Sequence, residues 1–251
     1  MQTSGIRVPQ AKASCSVSVG RIPHLCRLLE SLTCTAVSKL IVTMDGPSGT
    51  GKSTVSKAVA KRAGLPHLDT GAFYRAATLA ILRSSVDMND EASVSTVIQH
   101  AVFDQIDGLM SLDDHDVSDE IRGEAVTGAV SRISAYPSVR KVLVQHQRRW
   151  VDQRGGRAVV EGRDIGSVVF PDASLKIYLD ARPDVRARRR AQQTGEGVDQ
   201  VLADITRRDH HDSTRETSPL TVAEGAIRVD TSDLTLEEVV DRIVDLIDAK
   251  S

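Results

Sequence analysis

The sequence predicts an α/β fold, a parallel β-sheet flanked by helices on both faces. Short apolar runs alternate with longer segments of helical period along residues 40–250, the pattern of repeated strand–helix–strand units. A glycine-rich stretch, Gly46 to Ser53, stands between the first run and the first helical segment, where a strand must turn into a helix. The chain has 251 residues, 40% of them hydrophobic and 26% charged, enough material for a large core in a soluble globular protein.

The elements follow in order. Leu40-Ile-Val-Thr-Met44 is an apolar strand ending in the turn signal Asp-Gly-Pro. Val55, Ala58, Val59 and Ala63 fall at helical spacing, with Gly64 placed to cap the last turn. Residues 66–69 form a short second strand and 72–83 a helix. Residues 102–117 alternate around Asp107-Gly108, a hairpin signal. Helices are expected over 118–134 and 137–152, the second with Pro137 at its start. Strands over 157–161 and 175–179 precede two polar, arginine-rich helices over 183–194 and 198–210. Residues 227–230 form a last strand. The final helix carries Leu236, Val239, Val240, Ile243, Val244 and Ile247 on one face, and Thr235 to Glu238 has the capping-box spacing.

Composition excludes more than it names. No apolar run approaches the roughly 18 residues that span a bilayer. A net charge of −2 argues against a DNA coat, and seven aromatics leave little for stacking on bases. Charge placement says more. Residues 84–125 hold eleven acids and one base, whereas 140–215 hold sixteen bases, fourteen of them arginine. Arginine in place of lysine suits bidentate recognition of phosphate or carboxylate, although solvated helix faces give similar runs.

Residues 1–39 are basic and rich in Ser and Thr, and they hold all three cysteines, Cys15, Cys26 and Cys34. These spacings match no common zinc pattern, and an odd count argues against a closed disulfide framework. The segment is expected to be an N-terminal extension, disordered or the product of a start codon placed too far upstream; a targeting leader is the alternative. The cysteine-free remainder fits a reducing compartment, and the expected location is cytoplasmic.

Gly46-Pro47-Ser48-Gly49-Thr50-Gly51-Lys52-Ser53 fits G-x-x-x-x-G-K-[ST], followed by Thr54. Its glycines let successive backbone N–H groups turn toward an anionic phosphate, and the helix beginning near Lys52 adds its positive end. Lys52 is expected to reach the β- and γ-phosphates of ATP, and the Ser53 hydroxyl to take one position on Mg²⁺. The motif alone leaves a kinase, a GTPase, a motor or a switch open. The sequence has no Asn-Lys-x-Asp guanine reader, which weakens the GTPase.

Three further clusters narrow the class. Leu68-Asp69-Thr70-Gly-Ala-Phe-Tyr-Arg75 and Glu161-Gly-Arg163-Asp164-Ile-Gly166 each end a strand, where ligands of such sheets bind. Arg208, Asp212 and Arg215, at spacings of four and three, share one helical face.

Residues 40–250 resemble the bacterial cytidylate kinases, P-loop nucleoside monophosphate kinases, along nearly their whole length. The resemblance rests on GPSGTGKST at 46–54, LDTGAFYR at 68–75, GRDIGSVVFPDA at 162–173 and RDHHDSTR at 208–215. It implies ATP-dependent phosphorylation of CMP, with dCMP as a second acceptor. It also implies a kinase domain over 40–251 with an acceptor-binding insert at about 84–152 and a lid at about 183–197. On this resemblance Ser131, Arg140 and Asp164 read the cytosine, and Arg75 and Arg163 hold the CMP phosphate. Asp69, Arg208 and Asp212 surround the sugar and phosphate, Thr70 is a further substrate-binding residue, and Arg215 joins Lys52, Arg163 and Arg208 as a catalytic cation. The expected partners are these small molecules, with no nucleic acid or membrane, and a monomer is expected. Thr214 stands where the family commonly has Asn.

Several residues carry two readings. Asp69 suits a helix cap as well as a substrate contact. Glu161 could orient a magnesium water or simply be a cap or solvated residue. His210 and His211 read as surface residues, because transfer to an anionic phosphate needs no strong base. Some of Arg186, Arg188, Arg189 and Arg190 are expected to be lid contacts to ATP, and Trp150 to pack in the core.

Overall fold

The computed structural model describes residues 38–215 and 218–250. The segment set apart in the sequence, 1–39, lies outside these residues except for Ser38 and Lys39. In chain order the elements are β1 (Leu40–Asp45), α1 (Lys52–Ala63), β2 (His67–Asp69), α2 (Thr70–Arg83), α3 (Glu91–His100), β3 (Phe103–Ile106), β4 (Leu109–Leu112) and β5 (His115–Asp116). They continue with α4 (Glu124–Ile133), α5 (Pro137–Asp152), β6 (Arg157–Glu161), β7 (Leu175–Asp180), α6 (Pro183–Thr194), α7 (Val198–Thr214), β8 (Ile227–Asp230) and α8 (Leu236–Asp248).

Five strands form one parallel sheet in the order β2-β6-β1-β7-β8. Side chains alternate across it, as a two-residue period requires. Leu40, Val42 and Met44 of β1 pack with Val55 and Val59 of α1 and Ile243 and Ile247 of α8 on one face. Ala158 and Val160 of β6 pack with Phe73 of α2 and Leu143 and Val151 of α5 on the other. Each fully buried Val, Leu, Ile, Met or Phe among them stabilises the fold by roughly 1.5–3 kcal/mol. Between α3 and α4 lies a separate antiparallel sheet, β3-β4-β5, turned at Asp107-Gly108 as expected.

Local chemistry explains most boundaries. Gly64 caps α1 at φ 62°, ψ 33°, a left-handed conformation that costs glycine little. Pro137 opens α5. Thr235 and Glu238 close a reciprocal capping box on α8, with the Glu238 carboxylate accepting from the Thr235 N–H at 2.8 Å.

The helix expected over 118–134 is two pieces, a 3₁₀ turn at Glu120–Arg122 and α4, broken at Gly123 in an extended conformation. Glycine favours neither piece enough to bridge them. Helix α3 was not foreseen, although Asp90 caps it by accepting from the N–H groups of Ala92 and Ser93. After Asp164 the chain makes a π-helical turn, Ile165–Val169, which no sequence period announces.

All five strands of the main sheet end on a carboxylate: Asp45, Asp69, Glu161, Asp180 and Asp230. Parallel strands bring these ends to one edge, where the register sets Glu161 beside both Met44 and Asp69. Asp45, Asp69 and Asp230 there accept from backbone N–H groups, Glu161 meets Ser53 and His67, and Asp180 pairs with Arg228.

Candidate active site

A cavity of about 830 Å³ opens along this edge. Every site residue expected from sequence lines it except Gly46 and Pro47. Nine Lys and Arg side chains line it against four Asp and Glu, which suits a polyanionic ligand.

The loop after β1 is shaped by its neighbours. Gly46 sits at φ 147°, and a Cβ there would fall 2.0 Å from the Leu179 carbonyl oxygen, so only glycine fits. Thr50 Oγ1 donates to the Pro47 carbonyl at 3.2 Å. The Ser48 N–H donates to Asp209 of α7 at 3.1 Å. Lys52 is 8% exposed, and its Nζ donates to the Pro47 carbonyl at 2.6 Å. Burial, reinforced by the nearby Arg163 charge, pulls the Lys52 ammonium well below its ordinary pKa.

Ser53 Oγ donates to Glu161 Oε2 at 2.9 Å. Glu161 is 3% exposed, and its other oxygen lies 3.1 Å from His67 Nε2, itself 2.9 Å from Ser56 Oγ. Burial works to raise the Glu161 carboxyl, but the His67 ring, Lys52 and Ser53 outweigh it and hold it below the usual range. A hydroxyl paired with one anionic carboxylate fits Mg²⁺, which keeps several waters and takes few protein ligands. Glu161 is therefore neither a helix cap nor solvated. Asp69 is a helix cap, its side chain accepting from the Ala72 N–H at 3.2 Å at the start of α2, and it also lines the cavity. Burial and the neighbouring Glu161 raise its pKa. Thr70 Oγ1 donates to the Glu161 carbonyl at 2.7 Å.

Arg163 Nη1 donates to the Gly46 carbonyl at 3.0 Å and its Nε to Asp212 Oδ2 at 2.9 Å. It therefore ties the phosphate loop to α7. Arg208, exposed on the same face of α7, makes no hydrogen bond or ion pair among the described residues; partial desolvation by the protein around it and the Arg163 charge depress its pKa. Arg215 lies 3.8 Å from Asp212, and its Nη2 is buried without a partner. Burial, then the Arg140 charge, lowers its pKa. Arg75 donates to the Ile121 carbonyl at 3.1 Å and to Thr127 at 3.0 Å. Asp164 and Arg140 form a buried pair at 2.6 Å, with side chains 6% and 4% exposed. Arg140 also donates to the Ser134 carbonyl at 3.2 Å and lies over the Tyr74 ring. Ser131 lines the cavity beside them.

The four clustered arginines of α6 divide. Arg189 and Arg190 line the cavity. Arg188 pairs with Asp184 on the surface. Arg186, 8% exposed, is a strut that donates to the carbonyls of Ser48 and Ala181 and to the Asp209 carboxylate. His210 and His211 are both exposed, and His211 borders the cavity. Trp150 is buried, its Nε1 donating to Asp104 at 2.8 Å. Sequence reasoning missed Tyr74, Thr231, Leu234, Leu236 and Val239 as lining residues. Leu236 and Val239 carried a signal only for the buried face of α8, whose first turn reaches the cavity.

No described helix is long and apolar enough to cross a membrane. The sequence profile of the cytidylate kinases matches residues 42–249. A cytidylate kinase of Rhodococcus opacus (strain B4) is 48% identical over 225 residues, 86% of this chain and 98% of that one. One from Nocardia farcinica (strain IFM 10152) is 51% identical over 213 residues, 81% and 91% of the two chains. Among solved structures, a shikimate kinase from Bacteroides thetaiotaomicron superposes with a TM-score of 0.43 at 16% identity, covering 84% of this chain and 99% of that one. With the profile spanning nearly all of residues 40–250 and relatives near half identical along the same stretch, the chain belongs to the cytidylate kinase family.

Proposed function

We propose that this chain transfers the γ-phosphoryl group of ATP to the phosphate of CMP, giving ADP and CDP, and accepts dCMP as well. The observation that carries the reading is one cavity holding two different devices. The phosphate loop with Lys52 and Ser53 suits a triphosphate, and the buried Arg140–Asp164 pair suits a base edge. Arg163 stands between them, bonded to the loop through Gly46 and next in sequence to Asp164.

A carboxylate at 164 accepts from the exocyclic N4 amine of cytosine. Uracil carries an acceptor at that position, so two acceptors would oppose each other and a buried group would go unpaired. Arg140 and Ser131 are the donors to the remaining ring edge, and Arg75 with Arg163 takes the acceptor phosphate. Asp69, Thr70, Arg208 and Asp212 line the path of the sugar and phosphate.

An oxygen of the CMP phosphate attacks the γ-phosphorus in line, and the bond from that phosphorus to the bridging β,γ-oxygen breaks. The attacking group is already anionic, so no strong base is needed, consistent with the exposed histidines. The repulsion between two polyanions is the main obstacle. Lys52, Arg163, Arg208 and Arg215 lower it, and they stabilise the charge that spreads over the transferring group. Ser53, with Glu161 behind it, would hold Mg²⁺, which would supply further charge neutralisation at the phosphates. The insert, about 84–152, and the lid, about 183–197, close over the substrates and exclude water.

The test is purified protein with Mg-ATP and a panel of nucleoside monophosphates, following ADP formation. CMP and dCMP are expected to turn over well and UMP poorly. No turnover with CMP refutes the reading, and equal turnover with UMP refutes the role of Asp164.

A further inference from the structure

Three successive residues at the junction of β1 and the phosphate loop grip a single turn. The Gly162 N–H donates to the Met44 carbonyl at 3.0 Å. The N–H groups of Ile165 and Gly166 donate to the two carboxylate oxygens of Asp45, at 2.8 and 2.7 Å. Arg163 Nη1 donates to the Gly46 carbonyl at 3.0 Å. The gripped turn, 162–166, carries Arg163 and Asp164. Both of these line the cavity, while Asp45, 3% exposed, does not.

The turn is not held by its own secondary structure. Asp164 adopts φ −137°, ψ 24°, outside helix and strand, and the N–H groups of Ile165 and Gly166 open the π-helical turn. The first N–H groups of any helical turn lack intrahelical partners. Asp45 satisfies both of them from 120 residues away in sequence. The fit is tight: a Cβ at Gly166 would come within 2.8 Å of Thr43 Oγ1 and 3.3 Å of Asp45 Oδ2.

We propose that Asp45 is a positioning residue for acceptor selection, fixing the turn that carries Arg163 and Asp164 against the phosphate loop, so that one junction sets both substrate subsites. The inference rests on the base-reading role of Asp164 proposed above. Two N–H groups need two acceptor oxygens, which a carboxylate has. An amide at this position accepts one bond and sets its own N–H₂ against the other N–H. The turn must then shift, and displaced reading groups lose discrimination before the phosphate loop loses its nucleotide.

The experiment compares the full chain with Asp45→Asn and Asp164→Asn. It measures kcat and KM for CMP and UMP, and Mg-ATP binding by calorimetry without acceptor. In Asp45→Asn the CMP-over-UMP ratio of kcat/KM is expected to fall about tenfold or more, carried by the KM for CMP. Mg-ATP affinity is expected to stay within about threefold. An unchanged ratio, or ATP binding weakened as much as the KM for CMP, overturns the proposal. If Asp164→Asn also leaves the ratio unchanged, the base reading itself fails; if only Asp164→Asn lowers it, the positioning role of Asp45 alone fails. Should Asp45→Asn not fold, amide hydrogen exchange on the unaltered chain decides. Ile165 and Gly166 are expected to exchange as slowly as the amides of β6, and fast exchange at both overturns the grip.

Discussion

Replacing Asp164 by alanine leaves the Arg140 guanidinium charged, buried and without its carboxylate. The pair is 2.6 Å long, and both side chains are nearly inaccessible, at 4% and 6%. Arg140 would keep the Ser134 carbonyl at 3.2 Å and the Tyr74 ring, while its Nε has no partner even in the intact pair. Removing one member of a buried pair costs about 3–5 kcal/mol. Because this pair borders an open cavity, water can enter the space the carboxylate leaves, and the lower end, about 3 kcal/mol, applies. For a domain of this size, that loss lowers Tm by roughly 6–12 °C. The double variant Arg140→Met/Asp164→Leu removes both charges and fills the space with apolar atoms, so most of the stability returns while selection of CMP over UMP does not. Calorimetric melting of the single and double variants, read as a double-mutant cycle, measures the effect. A single variant destabilised by less than about 1 kcal/mol, or a double variant no more stable than the single, refutes the reasoning.

Other expectations follow from the same geometry. Lys52→Met deletes a buried cation that holds the Pro47 carbonyl but has no ion pair among the described residues, so Tm stays level or rises while kcat falls by about two orders of magnitude or more; a matching loss of Tm would show that Lys52 supports the fold. Glu161→Gln removes the anion behind Ser53, and the Mg²⁺ concentration that half-saturates ATP binding in calorimetry is expected to rise about tenfold, with no rise counting against the site. Burial raises the Asp45 carboxyl from 3.8 to about 6, against the two N–H bonds that pull it down. The folded state therefore holds that proton more tightly than the unfolded chain. The associated stability is fully present below about pH 4 and is lost as pH rises through about 6, a change of about 3 kcal/mol. Denaturant unfolding of the intact chain and of Asp45→Asn should show their stability difference moving by that amount toward the variant between about pH 3 and about pH 7; a constant difference removes the linkage.

Much of the sheet and the site was legible because short-range rules govern them. The apolar run from Leu40, the turn after it and the cap at Gly64 lie within one strand–loop–helix unit. Pro137 at a helix start and the Thr235–Glu238 box are equally local. The face shared by Arg208, Asp212 and Arg215 follows from helical spacing alone, and all three line the cavity. The break at Gly123 and the missed α3 show where such rules weaken, since a glycine in a helical pattern and a short polar helix are both marginal signals.

By itself, then, the sequence determined the α/β class, the phosphate loop and which residue types crowd the carboxyl edge, all of them properties of neighbours along the chain. Only the tertiary structure decided which of those groups meet. Glu161 reaches Ser53 because β6 lies beside β1 with Met44 opposite Glu161. Arg186 became a strut under the loop, bonded to Ser48 and Asp209. Asp45, an ordinary turn residue to any local rule, became the buried anchor of the Arg163–Asp164 turn. The physical reason is common to the three: a partner more than a hundred residues away, as for Ser53, Arg186 and Asp45, is set by sheet register and helix docking. No periodicity within one element encodes either.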